Sequence, residues 1–352
     1  MQTENLLKSL SLKEKLFQMF ILGFSGENLD DNNINIQNSI RNGLGGVILF
    51  EENITSYEQS AKLSENLQNI ASTPLFISID QEGGRVERTT NIKDKANYLS
   101  PGELETTEET RIQADLISKE LGFMGVNMNF APVMDVNTNK NNPIIGIRSF
   151  GNDTGRVSEF AREVYKSFMA NSIIPVAKHF PGHGDTSEDS HQTMPVVNLD
   201  IEELDTRHIS PFKQAIKDGV DLIMVNHAHY TAFDTEPIPA SLSKNVIKHY
   251  LRDRLGYQGI VVSDDMVMGG IKNYYKACEA CIKGIEAGID LFVFRNFSDE
   301  PPNIVEKIYE EIQAGRICED RINRSVERIL LCKKKYNLWN KKKNLHNYTG
   351  TS

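Results

Sequence analysis

The sequence predicts an α/β protein folded as a single (β/α)8 TIM-type barrel, and three observations carry that expectation. Short apolar runs alternate with longer amphipathic stretches along the chain. The runs are rich in Val, Ile, Leu and Phe and show little polar alternation, which is the pattern of parallel strands covered on both faces. About eight strand–helix repeats fill the 352 residues, a length that one such barrel accommodates. A doubly wound open sheet is the rival architecture, since it is assembled from the same repeat.

Taken in order, the chain enters through "SLKE" at Ser11 to Glu14, a capping box that starts a helix leading into the first strand candidate, "QMFILGF". "GGVILF", "LFISID", "VNMNFAP" and "IPVAKHF" follow, and then "DLIMVNH", "GIVVSDD" and "DLFVFRN". Helical patterns between them include "SYEQSAKLSENLQNIA", "GRVSEFAREVYKSFMA" and "DIEELDTRHISPFKQAIKDG". The last of these is expected to start on Asp200 as N-cap and to stop at Gly219 as a C′ glycine. The repeats run as far as "ERILLCKKKYNL". The expected organisation is therefore one catalytic barrel domain over 1–338 and a basic, polar tail over 339–352.

A hydrophobic fraction of 39% with 25% charged residues fits a soluble globular protein. The net charge of -9 argues against a nucleic-acid partner, because a phosphate backbone needs a basic surface. The local exception, "CKKKYNLWNKKKN", reads as a solvated tail. No apolar run approaches the roughly 20 residues that cross a bilayer. No small-residue cleavage site follows "LFQMFILGF", so no signal peptide is read there. Cys278 and Cys281 form a helical CxxC without a second spaced pair, and Cys318 and Cys332 lie in or near helices; structural thiols are expected rather than zinc. The expectation is a cytoplasmic protein with no membrane partner, its oligomeric state open and a monomer assumed.

Strand after strand ends in polar or ionisable residues: Asp80, then Asn129, Lys178 and His179, Asn226 and His227, Ser263 with Asp264 and Asp265, and Arg295. In a barrel these positions converge on the C-terminal mouth, where active sites of this fold sit. Burying so many unpaired charges is costly, so function is expected to explain them. The stretch "AKHFPGHGDTSEDSH", from Ala177 to His191, adds three histidines and three acids within fifteen positions. His179 and His183 have the spacing of zinc-binding helices, yet Pro181, Gly182 and Gly184 interrupt any helix there. The other reading is a mobile loop over the mouth, in which Asp189 orients the imidazole of His191 as a proton shuttle. From the residues alone, an exposed Asp and His with no relationship fits as well, and a loop can still bind metal.

"KHFPGHGDTSEDSH" resembles a signature of glycoside hydrolase family 3, specifically of its single-domain β-N-acetylglucosaminidases. "DQEGGRVER" (Asp80 to Arg88), "NPIIGIRSFG" (Asn142 to Gly151) and "VVSDDMVMGGI" (Val261 to Ile271) are similar to three more, in family order. "SLKEKLFQMFILGF" is similar to the family's entry into the first strand. The resemblance spans about Ser11 to Asn296.

The resemblance implies a retaining glycosidase, in which an aspartate forms a covalent glycosyl-enzyme that water then discharges. It implies Asp264 as nucleophile. Strand periodicity alone leaves Asp265 an equal candidate and expects only one of the two to face the mouth. It implies Asp189 and His191 as an acid/base dyad, in place of a group that many relatives draw from an additional domain expected to be missing here. It implies substrate contacts from Asp80, Arg88, Arg148, Lys178 and His179, with no cofactor and no metal. The implied substrate is a carbohydrate with β-linked GlcNAc at its non-reducing end, in peptidoglycan fragments undergoing recycling. Met266 and Thr89 depart from residues common in the family. A phosphorylase on the same scaffold stays open, as do a metal-dependent hydrolase using His179, His183, Asp185 and His191 and a catalytically silent sugar-binding barrel. His183 is equally a structural residue or a substrate contact. Arg295 is expected to form a plain salt bridge, an anion-binding role being the alternative.

Overall fold

The computed structural model describes residues 3–295 and 300–340. Eight parallel strands form one closed barrel: β1 Phe20–Gly23, β2 Gly46–Leu49, β3 Phe76–Ile79, β4 Met128–Asn129, β5 Ile174–Phe180, β6 Leu222–Val225, β7 Ile260–Asp265 and β8 Leu291–Phe294. All eight expected strands form. The ladder between β1 and β8, with Phe20 opposite Phe292 and Leu22 opposite Phe294, closes the sheet and rules out the open alternative. Most strand residues are buried on both faces, which is why the runs lack alternation. Between the barrel and its surrounding helices, Phe20 packs against Phe292 and Phe294, with ring centroids 5.7 and 6.1 Å apart.

The helices follow their caps. Ser11 and Glu14 make the expected reciprocal bonds, Glu14 N donating to Ser11 Oγ at 3.3 Å and Ser11 N to the Glu14 carboxylate at 2.8 Å. Ser56 caps Tyr57–Ile70 and Asp153 caps Thr154–Ala170. Asp200 caps as expected, and Gly219 adopts φ +83°. The stretch between them, however, is broken into Ile201–Glu203, Leu204–His208 and Ser210–Lys217. Pro211 has no N–H to offer the Arg207 carbonyl, which instead accepts Thr154 Oγ1 at 3.3 Å. Ile209 N reaches back five residues to Leu204 O at 2.8 Å, widening that turn.

Two strands bulge where they reach the mouth. Opposite β6, β5 gains a residue between Ala177 and Phe180; opposite β8, β7 gains one between Val262 and Asp265. A bulge re-aims side chains out of strict alternation. Consecutive residues Lys178 and His179, and likewise Asp264 and Asp265, therefore face the same cavity. The expectation that only one aspartate would face it is corrected on this point.

At the opposite end, Asp290 ties the barrel base. Its buried carboxylate accepts Arg252 Nη2 at 2.5 Å, Arg328 Nη1 at 3.2 Å, Arg321 Nη1 at 3.3 Å, Ser325 Oγ at 2.6 Å and Val261 N at 3.0 Å. Burial alone would raise this carboxyl, but the three guanidinium groups hold it below the usual carboxylate range. None of the four cysteines forms a disulfide. No described helix is long and apolar enough to cross a membrane. Trp339 packs on the core at the start of the expected tail, and 341–352 lie outside the described residues.

Replacing Asp290 by Ala leaves three cations around an empty site. The urea midpoint is expected to fall, with a loss of about 3–5 kcal/mol. An unchanged midpoint would contradict the tie.

Candidate active site

The mouth holds a cavity of about 360 Å³. Its floor is apolar, including Phe130 and Met224, and its walls are charged. Glu82, just past β3, is the hub. Arg148 forks onto it through Nε at 2.8 Å and Nη2 at 2.7 Å, and Lys178 Nζ lies 2.6 Å from Oε1. Lys178 also donates to Asp80 Oδ1 at 2.9 Å, while Arg88 bridges Glu51 at 3.0 Å and Asp80 at 3.5 Å. Burial would neutralise both Glu82 and Lys178, but attraction prevails, from Arg148 and then Lys178 on Glu82 and from Asp80 and then Glu82 on Lys178. Glu82 is held well below the usual carboxylate range and Lys178 is raised above that of an ordinary lysine. Glu82 stands in the quoted "DQEGG" segment but was not singled out there.

Asp135 is a second residue the sequence reading missed, although it ends an apolar run, "FAPVMD". Fully buried, its Oδ1 accepts the backbone N–H of His183 at 2.7 Å and of His179 at 3.3 Å, and its Oδ2 lies 2.7 Å from His179 Nδ1. Burial would raise this carboxyl too, yet His179 leads the interactions that keep it lowered. An ionised carboxylate only accepts, so Nδ1 carries the proton and Nε2, 3.5 Å from Arg148 Nη2, is the open nitrogen.

The two adjacent aspartates separate clearly. Asp265 Oδ1 accepts the backbone N–H of Arg295 at 3.0 Å and of Val267 at 3.2 Å, and burial pushes its pKa up to about 6. Asp264 accepts the Asp265 N–H at 2.8 Å. Burial opposes its ionisation, but His179, His227, that N–H and Lys178 together hold it below the usual carboxylate range. Environments that push neighbouring carboxyls apart mark different roles.

The loop after β5 lies on the rim. His191 Nδ1 and backbone N both meet Asp189 Oδ1, each at 2.8 Å, so the carboxylate fixes the ring. The loop is seated on the turn after β7: Gly269 N donates to His191 O and Gly270 N to Ser190 O, both at 3.0 Å, and Asn273 Nδ2 donates to Gln192 O at 2.7 Å. A Cβ on Gly269 would lie 2.6 Å from His191 O and 2.5 Å from Gln192 C, so the seat requires glycine. Within the loop, His183 meets Thr186 Oγ1 through Nδ1 at 2.8 Å and Ser190 Oγ through Nε2 at 3.0 Å. Burial lowers its pKa to about 4, which makes it a neutral brace. Asp185 is bound to Thr138 Oγ1 at 2.7 Å. No three His, Cys, Asp or Glu among the described residues are placed to share a metal ion.

The cavity thus gathers Asp80, Arg88, Arg148, Lys178, His179, Asp189, His191 and Asp264. Other strand-end residues serve as brackets instead. Asn129 exchanges two hydrogen bonds with the Gln81 backbone, Ser263 Oγ accepts Val293 N, Asn226 spans His179 O and Tyr230, and His227 spans Ser241 and Asp265 O. Arg295 pairs with no carboxylate among the described residues. Its guanidinium lies over the Phe50 ring, 4.7 Å from the centroid, which corrects the expected salt bridge.

The glycosyl hydrolase family 3 N-terminal domain model matches residues 11–332. The chain belongs to glycosyl hydrolase family 3. Among its relatives, β-hexosaminidase A of Pseudoalteromonas piscicida is 34% identical over 326 residues, covering 84% of this chain and 54% of its own length. The chain therefore spans about half of that relative. A β-hexosaminidase of Methylobacillus flagellatus is 30% identical over 77% of this chain and 79% of its own. A solved family 3 β-N-acetylglucosaminidase from Paenibacillus sp. superposes with a TM-score of 0.89 at 38% identity, over 94% of this chain and 63% of that one.

Gly269→Ala should unseat the loop without unfolding the barrel. Hydrogen exchange at residues 190–193 is expected to speed up by about tenfold or more while the melting midpoint shifts little. Unchanged exchange there would contradict the seat.

Proposed function

We propose that this family 3 chain is a retaining exo-β-N-acetylglucosaminidase that removes β-linked GlcNAc from the non-reducing end of carbohydrates. The observation that carries the reading is one cavity lined by an ionised Asp264 and a carboxylate-bound His191. The names of the relatives, β-hexosaminidase and β-N-acetylglucosaminidase, supply the sugar.

In this reading Asp264 attacks the anomeric carbon as the bond to the aglycone oxygen breaks, and protonated His191 delivers its Nε2 proton to that oxygen. Asp189, bonded to Nδ1, fixes which nitrogen is presented. Neutral His191 then takes a proton from water as the water oxygen attacks the anomeric carbon and frees Asp264. A neutral base adds no negative charge beside the carboxylate. Asp80, Arg88, Arg148, Lys178 and His179 hold the sugar hydroxyls and the acetamido oxygen, the carboxylate accepting and the cations donating. Residues 1–338 act as one catalytic domain. Peptidoglycan-derived muropeptides are the proposed source of substrate, and four cysteines outside any disulfide fit a reducing, cytoplasmic setting.

Product analysis on p-nitrophenyl GlcNAc and p-nitrophenyl glucose, with and without phosphate, tests the reading. Free GlcNAc is expected, with Asp264→Asn slower by about 10³-fold or more at an unchanged melting midpoint. GlcNAc 1-phosphate as the main product, or normal turnover by the variant, would contradict it.

His191→Ala is expected to slow glycosylation by about 10²-fold or more on a GlcNAc disaccharide and far less on a dinitrophenyl glycoside, whose leaving group needs no proton. Equal losses on both substrates in single-turnover kinetics would remove His191 from the acid role.

A further inference from the structure

The sector of the mouth formed by the ends of β8, β1 and β2 has no role in the chemistry above, yet it is built around a charge. Arg295 is the first residue after β8, and its backbone N–H is fixed on Asp265 Oδ1 at 3.0 Å. Its neighbour across the sheet, Gly23 at the end of β1, contributes no side chain; a Cβ there would lie 1.7 Å from Arg295 O. The space above β1 is therefore left to Arg295, which reaches across to Phe50, the first residue after β2. Phe50 also carries the Arg88 guanidinium, 5.4 Å from its centroid. Arg295, Phe50 and Arg88 all line the same cavity as Asp264.

The cations of this cavity differ in how they are matched. Arg148 is paired with Glu82, Lys178 with Asp80 and Glu82, and Arg88 with Glu51 and Asp80. Arg85 donates to the Ile144 carbonyl. Arg295 has a ring beneath it and forms no ion pair with a carboxylate among the described residues; Asp265 in the same cavity feels its charge without bonding its guanidinium. Stacking orients the planar fork at little cost in entropy and leaves its N–H edge without a carboxylate partner among the described residues, the arrangement that takes a carboxylate or phosphate through two parallel bonds. A neutral sugar would leave this edge to water.

We propose that Arg295, stacked on Phe50, is a specificity-determining residue that selects substrates bearing an anionic group, a carboxylate or a phosphate monoester, beside the scissile linkage. This rests on the glycosidase reading and narrows its substrate class. The anion can belong to the GlcNAc unit or to the aglycone, and paired substrates distinguish the two. One pair is p-nitrophenyl GlcNAc and its 6-phosphate; the other is 4-carboxyphenyl GlcNAc and its methyl ester.

In at least one pair, kcat/KM corrected for leaving-group ability is expected to favour the anionic member. Arg295→Gln should lower that anionic-to-neutral ratio by about tenfold, with Arg295→Lys in between. The pair that responds identifies which side carries the anion. Ratios unchanged by the substitution in both pairs, with the neutral glycosides turned over, overturn this inference alone. No turnover of any substrate by the unsubstituted chain overturns the glycosidase reading instead. The subsite is then read by titrating GlcNAc and GlcNAc 6-phosphate, together with 4-carboxyphenyl GlcNAc and its methyl ester, into both proteins. Equal affinities within each pair and between proteins would overturn it there as well. Melting midpoints check that both variants fold.

Discussion

The mouth of this barrel depends on burying two ionised carboxylates, Glu82 and Asp135, each among several partners. Glu82 and Asp135 are buried, at 6% and 0% exposure, where an isolated carboxylate would cost several kcal/mol. Each is held by several partners: Arg148 and Lys178 for Glu82, and the His179 ring with two backbone N–H groups for Asp135. The pairing fixes the rotamers of Lys178, His179 and Arg148, so the cavity wall is rigid before any ligand arrives. It also leaves Asp264 within the field of the cations but bonded to none of them, the condition an anionic nucleophile needs to stay both ionised and free.

Much of this was legible in the sequence, for physical reasons. Parallel strands buried on both faces must be apolar runs, so all eight could be placed, and side-chain caps such as Ser11 and Asp200 announce helix starts locally. The break before Pro211 was readable in principle, yet amphipathic periodicity masked it. Alternation misled at Asp264 and Asp265, because bulges in β5 and β7 cancel the two-residue period where function needs adjacent side chains in one cavity. Asp135 and Glu82 were passed over because their importance lies in partners far along the chain. Arg295 was expected to find a carboxylate. Its partner is instead the Phe50 ring, reached across a strand that ends in glycine, and no local pattern encodes that reach.

The two halves of the proposed chemistry are supported differently. Asp264 rides on a barrel strand locked by its neighbours on both sides, whereas Asp189 and His191 ride on a loop held by a few hydrogen bonds to the turn that follows the same strand. That seat couples the proposed acid/base group to the proposed nucleophile's own strand. In the proposed reaction a loop fastened at its base by the neutral brace of His183 and at its crest by Gly269 and Gly270 would lift for exchange of sugars and return in register. The barrel supplies precision and the loop supplies access.

The most direct test is where a sugar becomes covalently attached. Incubation with an activated fluorosugar that slows the second step, followed by proteolysis and mass spectrometry, should place one sugar on the peptide containing 261–266. Fragmentation should assign it to Asp264, and His191→Ala should still form the adduct when the leaving group is good. A sugar found on Asp265, on any other side chain, or on none would contradict the account.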